Sequence, residues 1–292
     1  MYNFVKNTHK NISGITIIDS GKPGENIGLI AITHGNEPVG LKIFEYLVNE
    51  FKINEKLKGG KIYLIANNIE AYIKYSKSED KNKFRFIDDN MNRVSNKKFK
   101  NGSYEHKRFY ELKQIFDEID FVIDIHSVSK GNDLIGISDT KYKDKAEKFF
   151  DVETILIDEI GNTGSIIGEF IRKGKEAYGI ECGNHVDDIG FKNGVINILN
   201  FLVYYGFING RIDKKHDNIK IFEFIEEIKV KTDNFKFISD FINFTKIGEN
   251  EIFAIDEYNE LKHNLGTDIY LGIIAKNPKK GDGAGFLFRK LK

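Results

Sequence analysis

His34 and Glu37 lie three residues apart in ITHGNEPVG (32–40), between an apolar run, IGLIAIT (27–33), and a helical pattern opened by Pro38. A turn at this place needs Gly and Asn, but it does not need a histidine and an acid. Imidazole and carboxylate are metal-ligand types. Yet with seven histidines in the chain the spacing alone decides little, and His185 with Asp188 is a competing pair. FVIDIHS (121–127) adds His126 at the end of a second apolar run. Two His and one Glu form a known catalytic zinc set that keeps a fourth position for water. IECGNH (180–185) closes a third run with Glu181, and a carboxylate beside a metal can serve as general base. FRFIDDNMNRV (84–94) supplies Arg85, Asn92 and Arg93. Arg grips a carboxylate through two parallel donors, Asn can add another, and a separate Arg can steady an oxyanion. Taken singly, each residue also has an ordinary reading: a strand-end histidine satisfied by backbone, a capping or ion-paired glutamate, a solvated arginine loop. Cys182 reads as a small buried residue.

The elements that must position these groups are legible. GITIID (14–19), IGLIAIT, KIYLIA (61–66), FVIDIH (121–126) and AYGIE (177–181) are short, nearly continuous apolar runs, as expected of strands buried on both faces. Helical spacing marks 38–51, 103–119, 164–175 and 189–206. Strands alternating with helices predict an α/β layered fold on a largely parallel sheet. In such sheets ligand sites form outside the carboxyl ends of strands, where His34, His126 and Glu181 fall. Segment 69–96 is mostly polar and long for a connection, as functional or disordered segments are. After about residue 208 short β-rich runs separated by turns predict a smaller all-β domain, and KNPKKGDGAG (276–285) reads as a loop.

Composition narrows the classes. The 292 residues suit one large domain or a main domain with a smaller one. Basic and acidic residues number 44 each, so no charge surplus points to nucleic acid or an anionic membrane. The single Cys182 excludes an intrachain disulfide and fits a reducing compartment. No signal peptide or transmembrane run is expected, which makes a cytoplasmic protein the default. Only six basic residues are Arg: 85, 93, 108, 172, 211 and 289. In a chain so rich in Lys, such arginines read either as places that need a planar two-pronged donor or as a scattering on the surface.

The motifs HGNE, FRFIDDNMNR, DIHS and IECG, in that order, resemble the succinylglutamate desuccinylase/aspartoacylase family of the zinc carboxypeptidase clan. The resemblance spans roughly residues 27–205. It implies a mixed sheet flanked by helices, with a C-terminal β domain that restricts access to the site. It implies that His34, Glu37 and His126 hold Zn2+, that Glu181 is the general base, that Arg85 polarises the scissile carbonyl, and that Asn92 and Arg93 grip a substrate carboxylate. The expected function is a zinc-dependent amidohydrolase on an anionic N-acyl amino acid, in which zinc and Glu181 deliver hydroxide to the amide. A carboxypeptidase-like peptidase and a non-catalytic metal-binding protein are the alternatives. Residues 1–208 would be the hydrolase domain and 209–292 the β-rich one, with no nucleic-acid or membrane partner and a homo-oligomer left open. One departure stands out: Asn90 occupies the place of an Asp in the family's Asp-x-Asn-Arg, which would orient a zinc-bound His. Whether Asp88, Asp89 or Asp124 substitutes for it is open. Arg172 is a further carboxylate anchor to consider, although its offset does not match cleanly.

Overall fold

Four strands of this chain are buried almost end to end: Asn26–Ala31 (β2), Lys61–Ala66 (β3), Phe121–Val128 (β4) and Glu176–Asn184 (β6). Strands covered on both faces read as unbroken apolar runs, and these four pair in parallel, in the order β3-β2-β4-β6. Ile15–Asp19 (β1) flanks β3 and Leu134–Asp139 (β5) flanks β6, both antiparallel, so the sheet is mixed with a parallel centre. The computed structural model describes residues 2–80, 83–128, 133–184, 188–275 and 278–292.

Helices cover the two faces of this sheet. Phe109, Leu112 and Phe116 of Tyr104–Phe116 (α3), with Phe170 of Ile166–Arg172 (α4), pack on Ile30, Ile65, Val122 and Ala177. Side chains alternate along a strand, so Ala31 and Ile125 face the opposite way. There they meet Val39–Asn49 (α1). A Cβ on Gly40 would lie 2.5 Å from Ala31 Cβ, so glycine lets α1 lie close on the carboxyl ends of β2 and β4. Asp188–Tyr204 (α5) packs beside α1 and against β6. Helix Ile69–Lys77 (α2) begins just after β3, inside the polar segment read as a connection.

The chain divides into two compact units, residues 1–155 with 159–219, and 156–158 with 220–292. The second contains only strands among its described residues. Lys220–Lys229, Gly283–Lys290, Ile269–Gly272 and Thr245–Ile247 pair in that order, all antiparallel. A three-stranded sheet adds Phe235–Phe237, Ala254–Asp256 and Asn259–Leu261. Ile228, Ile247, Phe253, Ile269, Leu271 and Leu287 form its core. Residues 283–285, expected in a loop, begin a strand, and residues 276–277 of that loop lie outside the described residues. No described helix is long and apolar enough to cross a membrane.

Arg108 shows what a planar donor does in a core. From α3, buried, its Nε donates to Asn67 O (2.9 Å) and its Nη2 to Ser13 O (2.8 Å) and Ala66 O (2.9 Å). It thereby satisfies carbonyls at the end of β3 and before β1. Arg108→Ala strands these acceptors and should lower unfolding stability by about 3 kcal/mol. Arg108→Lys should recover only part, because one ammonium cannot present the fork. Urea midpoints followed by circular dichroism would check this, and an unchanged midpoint in Arg108→Ala would refute it.

Candidate metal centre

β2 stops at Ala31, and Ile32 turns in the left-handed region (φ +52°), a costly conformation for a β-branched residue. Asn68 N holds the Ile32 carbonyl at 3.0 Å. The turn then delivers His34, and Glu37 follows just ahead of α1, its N–H donating to His34 O (3.1 Å). Gly35 is required in between. A Cβ there would lie 2.4 Å from the Ala71 carbonyl carbon of α2 and 2.6 Å from Phe84 O. His126 comes from the carboxyl end of β4, two residues after Asp124 and on the same face of the strand. Glu181 of β6 stands directly beside His126 in the sheet register.

The side chains converge. His34 Nδ1 lies 2.9 Å from Glu37 Oε1, and His126 Nδ1 lies 2.9 Å from Glu37 Oε2. One ligand atom from each of His34, Glu37 and His126 falls within 4.8 Å of the others, and all three residues are buried. Each ring turns Nδ1 inward and braces Nε2 outward. For His126 the brace is Asp124 Oδ2 (2.9 Å), and for His34 it is Asn90 Oδ1 (3.2 Å). Asp124 is itself held by Thr33 Oγ1 (2.7 Å), which accepts from Asn67 Nδ2 (3.0 Å). Two imidazole nitrogens and a carboxylate, each backed by a hydrogen-bond partner, fit a metal such as zinc.

Electrostatics favour positive charge here. Burial opposes ionisation of Glu37, but the Arg85 charge and the hydrogen bonds of His126 and His34 hold its carboxyl well below the usual range. Burial, then the Arg85 charge, lowers His34 to about 4, so the ring is neutral and able to ligate. Burial also opposes a charged His126, but the Asp124 and Glu37 carboxylates overcome it and raise the ring well above its ordinary value. A cation would take the place of that proton. Burial raises Glu181 to about 7, with His126 pulling down and Glu37 pushing up. Glu181 Oε2 is out of solvent and has no hydrogen-bond partner among the described residues.

The segment from Phe84 to Arg93 brings up the remaining groups. Phe84 is also left-handed (φ +61°), so strained backbone precedes both His34 and Arg85. Arg85 O accepts from Gly35 N (2.9 Å), while its guanidinium reaches Glu37 Oε1 (2.6 Å) and His34 Nε2 (3.0 Å). The short turn Met91–Arg93 is capped by Asn90 Oδ1, which accepts from Asn92 N (2.9 Å). Asn92 Oδ1 accepts from Ile166 N (2.9 Å), so what Asn92 offers a ligand comes from its Nδ2 donors. Arg93 is exposed, with Nη1 donating to Asn92 O (2.7 Å).

Two points left open by the sequence have an answer in the structure, and a third falls outside the described residues. None of the nearby aspartates stands in for an acid at position 90. Asp88 accepts from Tyr104 N, Asp89 pairs with Lys100 and Asp124 serves His126, so Asn90 itself braces His34. Arg172 is no carboxylate anchor: it is committed to Gly161 O, Thr163 O, Ser95 Oγ and Glu169. The competing His185 lies outside the described residues. Sequence reading missed Thr33, Asn67 and Glu105. For Thr33 a signal existed, since it adjoins His34; for the others only the fold reveals the contact. Cys182 is buried, and burial pushes its thiol up, away from reactivity.

The profile of the succinylglutamate desuccinylase/aspartoacylase catalytic domain matches residues 23–187, more than half of the chain. The chain belongs to this family. The matched span contains His34, Glu37, Arg85, Asn92, Arg93, His126 and Glu181. Solved structures of the family share the fold. A succinylglutamate desuccinylase from Vibrio parahaemolyticus superposes with a TM-score of 0.74 at 16% identity, covering 96% of this chain and 87% of that one. A succinylglutamate desuccinylase/aspartoacylase from Rhodobacter sphaeroides gives 0.71 at 17%, covering 94% and 89%. The product-bound ectoine utilization protein EutE (DoeB) from Ruegeria pomeroyi gives 0.68 at 16%, covering 94% and 88%. Comparison with curated proteins finds no match.

Proposed function

We propose that this desuccinylase/aspartoacylase family member is a zinc-dependent hydrolase that removes the acyl group from an anionic N-acyl amino acid. The observation that carries the reading is Glu181 Oε2, an unpartnered buried carboxylate oxygen whose residue adjoins His126 in a cluster of three ligand side chains. His34 Nδ1, a Glu37 oxygen and His126 Nδ1 would hold the zinc, which when bound supplies a Lewis acid for the scissile carbonyl and the attacking water. Glu181 Oε2 takes a proton as the water oxygen bonds to the carbonyl carbon. It then gives that proton to the amide nitrogen as the C–N bond breaks, releasing the free amine.

His34 links the cluster to Arg85. Its Nε2 lies within reach of both Arg85 Nη2, a donor, and Asn90 Oδ1, an acceptor. One nitrogen cannot serve both. A ligand bond at Nδ1 would put the proton on Nε2, which would donate to Asn90 and free Arg85 Nη2, while Arg85 Nη1 stays on Glu37 Oε1. Arg85 Nη2 would then donate to the carbonyl oxygen as it gains negative charge. The Asn92 amide and the Arg93 fork hold the substrate's carboxylate and orient the amide. All these residues fall within 1–208, which we take as the hydrolase domain, with 209–292 as the β-rich one. A buried free thiol and a neutral chain accord with work in the cytoplasm.

The test is release of free amine by zinc-loaded protein from N-acetyl and N-succinyl amino acids, each with its α-carboxylate free or amidated. The free acids should be cleaved and the amidated forms should be poor substrates. Arg93→Lys keeps the charge but loses the two parallel donors. It should lower kcat/KM on the acids by about 10- to 100-fold, the worth of one or two charged hydrogen bonds, and change the amidated forms little. Equal cleavage of acid and amide by the native protein would remove the carboxylate from the argument.

A further inference from the structure

Glu105, in the first turn of α3, is fully buried, and no Lys or Arg among the described residues pairs with it. A buried charge must be met by hydrogen bonds. Here four N–H groups meet it. Oε1 accepts from Ile87 N (2.6 Å) and Asn68 Nδ2 (3.2 Å), and Oε2 accepts from Asp88 N (3.0 Å) and Asp89 N (3.1 Å). Three consecutive amides of a segment without strand or helix thus point at one carboxylate. Without it they would have no ladder to satisfy them.

The held residues lie between two groups of the candidate site. Arg85 is two positions before Ile87, and Asn90 follows Asp89; both reach His34 Nε2. Asn68, the fourth donor, holds the Ile32 carbonyl two residues ahead of His34. One carboxylate therefore ties the turn bearing His34 to the segment bearing Arg85.

We infer that Glu105 is a positioning residue: through the amides of residues 87–89 it fixes Arg85 and Asn90 against His34. Its catalytic consequence rests on the deacylase reading above. In Glu105→Gln one carboxylate oxygen becomes a carboxamide NH2, a donor that cannot accept from the amides it faces. Zinc content should stay native, and kcat should fall about 10- to 100-fold with KM little changed, the cost of a misplaced supporting group. In an Arg85→Ala background the same substitution should add almost nothing, because the two act as one unit. A native kcat, or a loss that multiplies in full with that of Arg85→Ala, would overturn the inference. Amide hydrogen exchange provides a readout independent of turnover. The 87–89 amides should be protected in the zinc-loaded native protein and open in Glu105→Gln. Unprotected amides in the native protein overturn the inference even where the variant does not fold. If the native protein cleaves no N-acyl amino acid, the deacylase reading falls, and the exchange result still decides the hold of Glu105 on the segment.

Discussion

Replacing Glu181 by Gln should leave the protein folded and zinc-loaded while kcat falls by about 10²–10⁴, the range for a positioned acid–base group. The substitution is nearly isosteric and the position already tolerates an unpartnered oxygen, so packing gives little reason for loss of structure. Removing a carboxylate that burial already pushes to about 7 costs the fold no ion pair, since Glu181 forms none among the described residues. The loss must then appear in proton transfer. Substrate affinity, measured by calorimetry on the inactive variant, should stay near native. A Gln variant that turns over at the native rate would show that the proton is handled elsewhere. One that loses zinc would make Glu181 a ligand.

The metal gives the second large effect. Native protein should carry about one zinc per chain, and His34→Ala or His126→Ala should each lose most of it. The fold should survive either change, because Glu37 keeps Arg85 and the other histidine as partners. Metal content by atomic emission, with circular dichroism as the fold control, separates the outcomes. Full metal content in both variants would place the ion away from this cluster.

How far the site was legible depended on the range over which each residue acts. His34, His126 and Glu181 are visible because each breaks or closes an apolar run near where a strand ends, and Glu37 because it stands three residues from His34. The strand KIYLIA was read residue for residue as Lys61–Ala66 for the same reason. β5 was not read, because Leu134–Asp139 carries Gly136 and Ser138 in place of apolar residues. Gly136 is there for space: a Cβ would lie 2.8 Å from the Phe150 ring. Helix α2 was hidden by its polar surface, although Ala71 and Tyr72 are buried. Glu105 is the extreme case. In sequence it is an ordinary acid in the first turn of a helix, favourable to the helix dipole and otherwise unremarked. Three of its four partners are backbone amides 16–18 residues upstream, and backbone amides carry no sequence signature.

The parallel order of β2, β4 and β6 also has a kinetic side. Glu37 and His34 are neighbours along the chain, but His126 is 89 residues beyond Glu37 and meets it only when β4 is seated beside β2. Pairings so distant in sequence close large loops and form slowly. A cation that needs all three side chains therefore finds two of them early and the third late. It can favour the assembled sheet over its precursors, yet it cannot nucleate that sheet. If the cluster binds zinc, zinc present during refolding should slow unfolding far more than it speeds folding, and the ion would act as a lock on a finished parallel sheet.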